Sequence, residues 1–369
     1  MSVVMTVAGP IDADAVGVTL VHEHLHMDAR SLLTGVHGYG PSGNAAISID
    51  TAAEARWSPG ASSDNYDLTD PELIVAELAP FVAAGGRTIV DLTPVGLGRS
   101  PVALQRIARA AGINVVMGTG YYLASTHPQA VQDATPEQLA DEFVREFRGG
   151  ADGTEIRPGI MGELGTGTVL HGREAKVLRA AAWAQPGTGA PISVHLHPWS
   201  KVGHDVLDVL LREQARPERI VLGHLHPVAG DLAYVRSLLD RGVYGAFDLF
   251  GFDHSLLATG RYPPSDHDVV AVMHQLILDG YGSRLLASQD VGVRTRLHRF
   301  GGWGYDHILT HVVPLMRSQG WSSQDIGRLL VDNPRDILTL DPARTAADIV
   351  RATRDRELPI NAPERTEHR

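Results

Sequence analysis

Along this chain, short runs of Val, Ile and Leu alternate with longer stretches whose apolar positions recur every three or four residues, and Gly, Pro or polar breaks separate the two. Unbroken apolar runs suit strands buried on both faces of a parallel sheet, and three-to-four spacing suits the amphipathic helices that cover it. The runs predict eight strands: Gly17–His24 (GVTLVHEH), Gly86–Thr93 (GRTIVDLT), Ile113–Thr119 (INVVMGT), Arg157–Glu163 (RPGIMGE), Pro191–His195 (PISVH), Arg219–His224 (RIVLGH), Val243–Phe250 (VYGAFDLF) and Arg284–Asp290 (RLLASQD). Helical spacing falls between and after them, near 71–84, 101–111, 136–148, 173–184, 203–215, 231–240, 266–280 and 306–318. Several of these stretches open on an N-cap followed by proline, as at Asp70-Pro71 and Ser100-Pro101, a reliable helix start.

Eight βα units specify a (β/α)8 TIM barrel of the α/β class. A prior of one domain per ~150 residues would divide 369 residues into two or three. The alternation instead predicts a single barrel over 1–340. An open doubly wound sheet shares the periodicity but needs a Gly-rich dinucleotide loop after its first strand, and HEHLHMD stands there. Two additions to a minimal barrel are expected. Residues 34–67 form a long loop after the first strand without clear periodicity, and 341–369 carry one more helix, roughly Ala343–Thr353, and a polar tail.

Active sites of parallel barrels are built at the C-terminal ends of the strands. The first predicted strand ends His22-Glu23-His24, the fourth at Glu163, the fifth at His195, the sixth at His224 and the eighth at Asp290. Residues i and i+2 of a strand share a face about 6.7 Å apart, so His22 and His24 are expected to point into one site while Glu23 points away. Four imidazoles and two carboxylates on one rim suit two metal ions, which hydrolytic centres hold about 3.5–4 Å apart. The chain has 18 His, only two lysines (Lys176 and Lys201) and no Cys, so any ligand set is nitrogen and oxygen. Zinc is the first expectation, and cobalt, manganese, nickel or iron suit the same donors. His22-Glu23-His24-Leu25-His26 also spells the H-E-x-x-H of zinc proteases, but that motif needs a helix, and the run-in Val16–Val21 (VGVTLV) favours a strand. His197 and His226, each beside a proline, are read as supporting residues rather than ligands.

The net charge of −11 argues against nucleic acid or an anionic membrane surface as partner. No stretch approaches the ~18 apolar residues of a membrane span, and the N-terminus MSVVMTVAGPIDAD lacks a basic, apolar leader. A cytoplasmic enzyme is therefore expected. Mean hydropathy is −0.06, ordinary for a soluble globular chain.

At these residues the sequence resembles the phosphotriesterase family of the amidohydrolase superfamily. The passages that carry the resemblance are GVTLVHEHL (Gly17–Leu25), MGTGYYL (Met117–Leu123), IMGELGT (Ile160–Thr166), PISVHLHP (Pro191–Pro198), VLGHLHP (Val221–Pro227), LLASQDVG (Leu285–Gly292), GGWGYDHIL (Gly301–Leu309) and DNPRDIL (Asp332–Leu338). The similarity spans roughly residues 5–340 and implies a binuclear metallohydrolase, usually a homodimer. By that similarity His22, His24 and Asp290 would hold the more buried ion, His195 and His224 the more exposed one, and Glu163 would bridge them. The best-known members bridge with a carbamylated lysine. Neither lysine here falls at a strand-four end, and Glu163 does, as in the branch close to phosphotriesterase homology and phosphotriesterase-related proteins.

The resulting expectation is a hydroxide shared by two cations attacking the carbonyl of a small-molecule lactone, carboxylic ester or amide, with Asp290 accepting its proton. Phosphotriester or phosphodiester hydrolysis is the alternative. An H-E-x-x-H protease and a non-catalytic metal-binding barrel are remote ones. Substrate contacts are expected from loops after the strands: Tyr121 and Tyr122 after the third, Arg294, Arg296 and His298 after the eighth, and Trp57 and Tyr66 in the long first loop.

Overall fold

The computed structural model describes residues 2–33, 44–253 and 261–341. Two short antiparallel strands, β1 (Val3–Thr6) and β2 (Gly9–Asp12), form an N-terminal hairpin. Eight parallel strands follow, each paired with the next in chain order: β3 (Thr19–Glu23), β4 (Thr88–Asp91), β5 (Asn114–Thr119), β6 (Ile160–Gly165), β7 (Ile192–His195), β8 (Ile220–Leu222), β9 (Tyr244–Phe247) and β10 (Leu285–Ala287). The last comes round to the first. The Asp290 N–H donates to the His22 carbonyl at 3.0 Å, and the His22 N–H donates to the Ser288 hydroxyl at 2.9 Å. The sheet is a nearly closed (β/α)8 barrel, and all eight predicted strands lie in it.

The helices in chain order are α1 (Ala52–Trp57), α2 (Pro71–Ala83), α3 (Pro101–Ala111), α4 (Gln129–Asp133), α5 (Pro136–Gly149), α6 (Gly172–Thr188), α7 (Gly203–Arg212), α8 (Leu232–Leu239), α9 (Asp266–Leu278), α10 (Val313–Ser318), α11 (Ser323–Gly327) and α12 (Asn333–Leu338). Local chemistry accounts for their starts. The Asp70 carboxylate accepts from the Glu72 and Leu73 N–H groups at the head of α2, Ser100 caps α3, and Thr135 with Gln138 makes a capping box on α5. Every residue of β3, β4 and β7 is buried, which is why these strands read as apolar runs without alternation. No described helix is long and apolar enough to cross a membrane.

Three features differ from the expectation. The hairpin β1–β2 is not among the predicted elements; the Val7 N–H donates to the Val115 carbonyl, and the Leu340 N–H to the Val3 carbonyl. It therefore packs at the N-terminal ends of the strands, the face opposite the candidate site. The long loop 34–67 is not structureless in its described part, which contains α1 and the turns Pro59–Ala61 and Ser63–Tyr66. Polar contacts far apart in sequence organise it: Ile47 N–H to Asp64, Arg56 to the Thr295 and Phe300 carbonyls, and Thr295 N–H to Asn65. Finally, α11 and α12 follow α10 where no helix was expected. The helix expected near Ala343–Thr353 and the tail beyond it lie outside the described residues, as do residues 34–43 of the loop.

Candidate metal centre

The strand ends His22, His24, Glu163, His195, His224 and Asp290 meet in one cluster. His22 Nε2 lies 3.4 Å from Glu163 Oε2 and 3.8 Å from Asp290 Oδ1; His24 Nε2 lies 3.1 Å from Asp290 Oδ1 and 3.9 Å from Glu163 Oε1. On the other side His195 Nδ1 is 2.9 Å and His224 Nε2 is 3.7 Å from Glu163 Oε2. Their donor atoms form three sets, each within 4.8 Å: His22, His24 and Glu163; Glu163, His195 and His224; His22, His224 and Asp290. Glu163 belongs to two of these sets, one on either side of it.

The donor set fits divalent cations. Imidazoles and carboxylates are the donors that zinc and its neighbours take. His22 Nε2 is buried among them without a hydrogen-bond partner, an orphan that a cation would satisfy. The opposite ring nitrogens are already committed. One Asp248 carboxylate accepts from His22 Nδ1 at 2.8 Å and His224 Nδ1 at 3.0 Å, leaving both Nε2 atoms turned to the cluster. His24 Nδ1 is 2.9 Å from the Thr93 hydroxyl. Partners of this kind fix the ring orientation and tautomer of a metal-binding histidine.

Electrostatics points the same way. Burial works against a charged His22, yet Glu163 and Asp248 outweigh it and hold its pKa well above the usual imidazole value. Burial likewise opposes protonation of His224, but Asp248 lifts it to about 10. Burial would raise Glu163, and the surrounding imidazoles hold it well below the carboxylate range instead. His195, pressed by burial and by His224, shifts down. The carboxylates thus favour positive charge at His22, His24 and His224, while burial and His224 disfavour it at His195.

Glu23 has the parity expected of it, facing away from the cluster, but it is not idle. It accepts from the Ser288 hydroxyl and from the Gln289 and Val291 N–H groups, at 2.7–2.8 Å. Three donors that bracket Asp290 therefore converge on one buried carboxylate, whose pKa burial pushes up to about 7. Asp290 and His224 both sit at positive φ, 54° and 58°, conformations that cost a non-glycine residue about 1–3 kcal/mol each and gather at functional sites. Gly223 lets the chain pass Asp248 there, since a Cβ at that position would stand 3.1 Å from Asp248 Oδ2.

The other expected residues divide. The Tyr122 hydroxyl comes within 3.2 Å of His195 Nε2, and Tyr122 joins the cluster. Its neighbour Tyr121 turns the other way and donates to Glu142 at 2.5 Å. Arg294 is spent on the long first loop, donating to the Asp67 carbonyl and to Asp64. His298 pairs with Asp306 at 2.5 Å, and Trp57 on α1 is 63% exposed. The structure brings none of these four to the cluster. His26 Nδ1 contacts the Gly98 carbonyl at 3.1 Å, and His226 is fully buried edge-on to Phe250. Burial of the His226 ring lowers its pKa to about 4, so it is a neutral packing element. His197 is half-buried and shifted down by burial too. Lys176 donates to the carbonyls of Val131, Gln132 and Ala134, and Lys201 pairs with Asp231, so both lysines are committed away from the centre.

Sequence reasoning missed Asp248. It lies inside the run VYGAFDLF, flanked by large apolar residues that make it look like strand interior. The signal was its polarity near the end of the seventh predicted strand, where the other donors also stand. Thr93 and Ser288, at the ends of the second and eighth, carried the same signal.

Comparison with known proteins adds to this geometry. A sequence profile of the phosphotriesterase family matches residues 2–338. A Xenopus tropicalis protein named N-acetyltaurine hydrolase is 34% identical over 340 residues, 91% of this chain and 97% of that one. Among solved structures, a resiniferatoxin-binding protein from Rhodobacter sphaeroides superposes with a TM-score of 0.87 at 39% identity, covering 92% of this chain and 96% of the other. The phosphotriesterase homology protein from Escherichia coli, complexed with phosphate in its active site, gives 0.75 at 30% identity, covering 88% and 100%.

Proposed function

Because the chain belongs to the phosphotriesterase family and is a metal-dependent hydrolase, we propose that its centre cleaves the amide bond of a small N-acylated amine. The observation that carries this reading is Glu163, shared between two donor sets with Asp290 in a third, together with curated relatives named for hydrolysis of an N-acetyl amide. In this reading His22, His24 and Asp290 would hold one ion, His195 and His224 the other, and Glu163 would be shared by both. Zinc is the first choice. When bound, such ions supply a water acidified towards neutral pH and a Lewis acid for the scissile carbonyl.

The rest falls to the chain. Asp290 lies at the edge of the cluster, its side chain 19% exposed while that of Glu163 is 4% exposed. It is therefore the carboxylate placed to take a proton from the attacking water and return it to the departing amine, which must leave protonated. Glu23 holds Asp290 in position through its three bracketing donors, and Asp248 keeps His22 and His224 turned inward. Burial and the neighbouring Glu163 push the Tyr122 phenol well above its usual pKa. It stays an O–H donor at every working pH and is available to the carbonyl oxygen of the substrate.

The test is metal analysis joined to a substrate panel. Two divalent ions per chain are expected, with N-acetyltaurine or a related amide hydrolysed faster than lactones or a paraoxon-type ester, and hydrolysis lost on chelation and recovered with zinc. Hydrolysis that survives complete metal removal would overturn the reading. Phosphoester hydrolysis is the second reading, favoured by the phosphate held in the active site of the Escherichia coli relative; preference for the paraoxon-type ester in the same panel would select it. The homodimer implied by the family resemblance and the cytoplasmic location expected from the sequence remain part of the proposal, and sedimentation of the full chain checks the first.

A further inference from the structure

Charge is usually matched where it is buried. Arg99 is the example here: its side chain is fully buried, and its guanidinium is met by Glu146 and Asp152 at 2.7–2.8 Å. Arg296 is not matched in this way. It rides the turn Arg294–Arg296, in the loop that leaves β10 just after Asp290, and is 3% exposed. One nitrogen donates to the Phe250 carbonyl at 2.6 Å, and the guanidinium carbon stands 4.6 Å from the centroid of the Phe252 ring. Its Nη1 has no hydrogen-bond partner, and no ion pair joins it to any carboxylate among the described residues.

An unmatched buried cation is expensive. Removing a charge from water costs several kcal/mol, and one carbonyl with one aromatic face returns only part of that. Burial shifts the Arg296 pKa down, and Asp290 is the carboxylate that most opposes the shift, ahead of Glu23, Asp253 and Asp266. The guanidinium therefore lies within the field of the residue read above as the proton acceptor, without touching it. Phe250 and Phe252 follow β9, the strand that pairs with β10, so an apolar wall and a buried cation with one unpaired donor stand at the same C-terminal end of the barrel as the metal-binding cluster.

We propose that Arg296 is the substrate-binding residue for a negatively charged terminus, so that the enzyme selects N-acylated amines carrying a carboxylate or sulfonate. This rests on the amidase reading and names its substrate class. The planar fork of arginine suits such oxyanions, and a guanidinium held in advance costs the substrate little ordering. With the acyl carbonyl at the cluster, the charged end reaches towards the rim, where Nη1 completes its hydrogen bonds and the buried positive charge is neutralised.

The experiment compares a charged pair with a neutral probe. Binding of N-acetyltaurine, N-acetyl-β-alanine and uncharged N-acetylethanolamine is measured by calorimetry on the zinc-loaded full chain and on Arg296→Gln and Arg296→Lys. Turnover of the same three is followed separately. The wild type is expected to bind the two anions about 10- to 100-fold more tightly than the neutral probe, as a charged hydrogen bond predicts. R296Q should erase that preference while leaving affinity for N-acetylethanolamine within about twofold, and R296K should retain part of it, having the charge without the fork. Equal affinity for anions and neutral probe in the wild type would overturn the proposal. So would a preference that persists in R296Q, or a loss that falls equally on all three probes. Should R296Q fail to fold, the wild-type preference and R296K decide. Anion-selective binding without hydrolysis would sink the amidase reading and leave this inference standing; hydrolysis without anion selectivity would do the reverse.

Discussion

A single carboxylate, Asp248, accepts from two imidazoles on different strands, His22 and His224. Replacing it with Ala should leave two rings free to turn and unpair two buried Nδ1 atoms. We expect metal affinity to fall about 10- to 100-fold, the usual loss when such a partner is removed, measured by competition with a chelator of known strength. Asp248→Asn should fall between, since its amide retains one acceptor. Asp290 is different in kind. Asp290→Asn should keep at least one ion bound yet lower turnover by about 10²–10⁴, the range of a lost general base. An Asp290→Asn enzyme with full metal content and wild-type turnover would show that the proton goes elsewhere. The two positive-φ residues, His224 and Asp290, suggest why both contacts must be firm. Each side chain leaves a strained backbone that the neighbouring hydrogen bonds have to over-determine.

At the level of elements, strand ends carried the readable information and loops did not. Period and burial decide a strand locally, because every position of β3 or β7 is covered, so the runs and their terminal donors stood out in the sequence. The i, i+2 parity likewise separated His22 and His24 from Glu23. Loop side chains answer to partners hundreds of residues away. Arg294 is committed to Asp64 and Asp67, and Thr295 to Asn65, contacts that no local pattern announces. The hairpin β1–β2 escaped notice for a different reason: β2 is Gly-Pro-Ile-Asp and half-exposed, so it lacks the apolar run that marks the barrel strands. One short element shows its dependence clearly. Helix α4 has five residues, and the Lys176 ammonium on α6 collects the carbonyls of Val131, Gln132 and Ala134. Lys176→Met should cost about 0.5–1.5 kcal/mol, the net worth of a hydrogen bond at part-exposed carbonyls, seen as a lower urea midpoint, while turnover per folded molecule is unchanged.

Considered whole, the barrel keeps chemistry and stability at opposite ends. The donors gather where the strands finish. The other end is sealed by the hairpin, by α12 and by Arg219, which donates to the carbonyls of Gly189, Asp336 and Thr339. Arg219→Met should therefore destabilise the fold by about 1–3 kcal/mol, since one buried and two part-buried carbonyls lose their donor, with metal content and KM unaltered. Metal removal should act from the other end. Ions at a hundred times their dissociation constant stabilise by about 2.7 kcal/mol per site, so the stripped chain should melt several degrees lower than the zinc form by calorimetry.

The commitment of Lys176 and Lys201 has a bearing on how the enzyme matures. A bridge made by carbamylation forms only when carbon dioxide reacts with a free amine, so its assembly follows the supply of bicarbonate. Glu163 arrives from translation already complete. Reconstitution of the stripped chain with zinc should proceed at the same rate and to the same yield in degassed, bicarbonate-free buffer as in carbonated buffer, making activation a matter of metal supply alone.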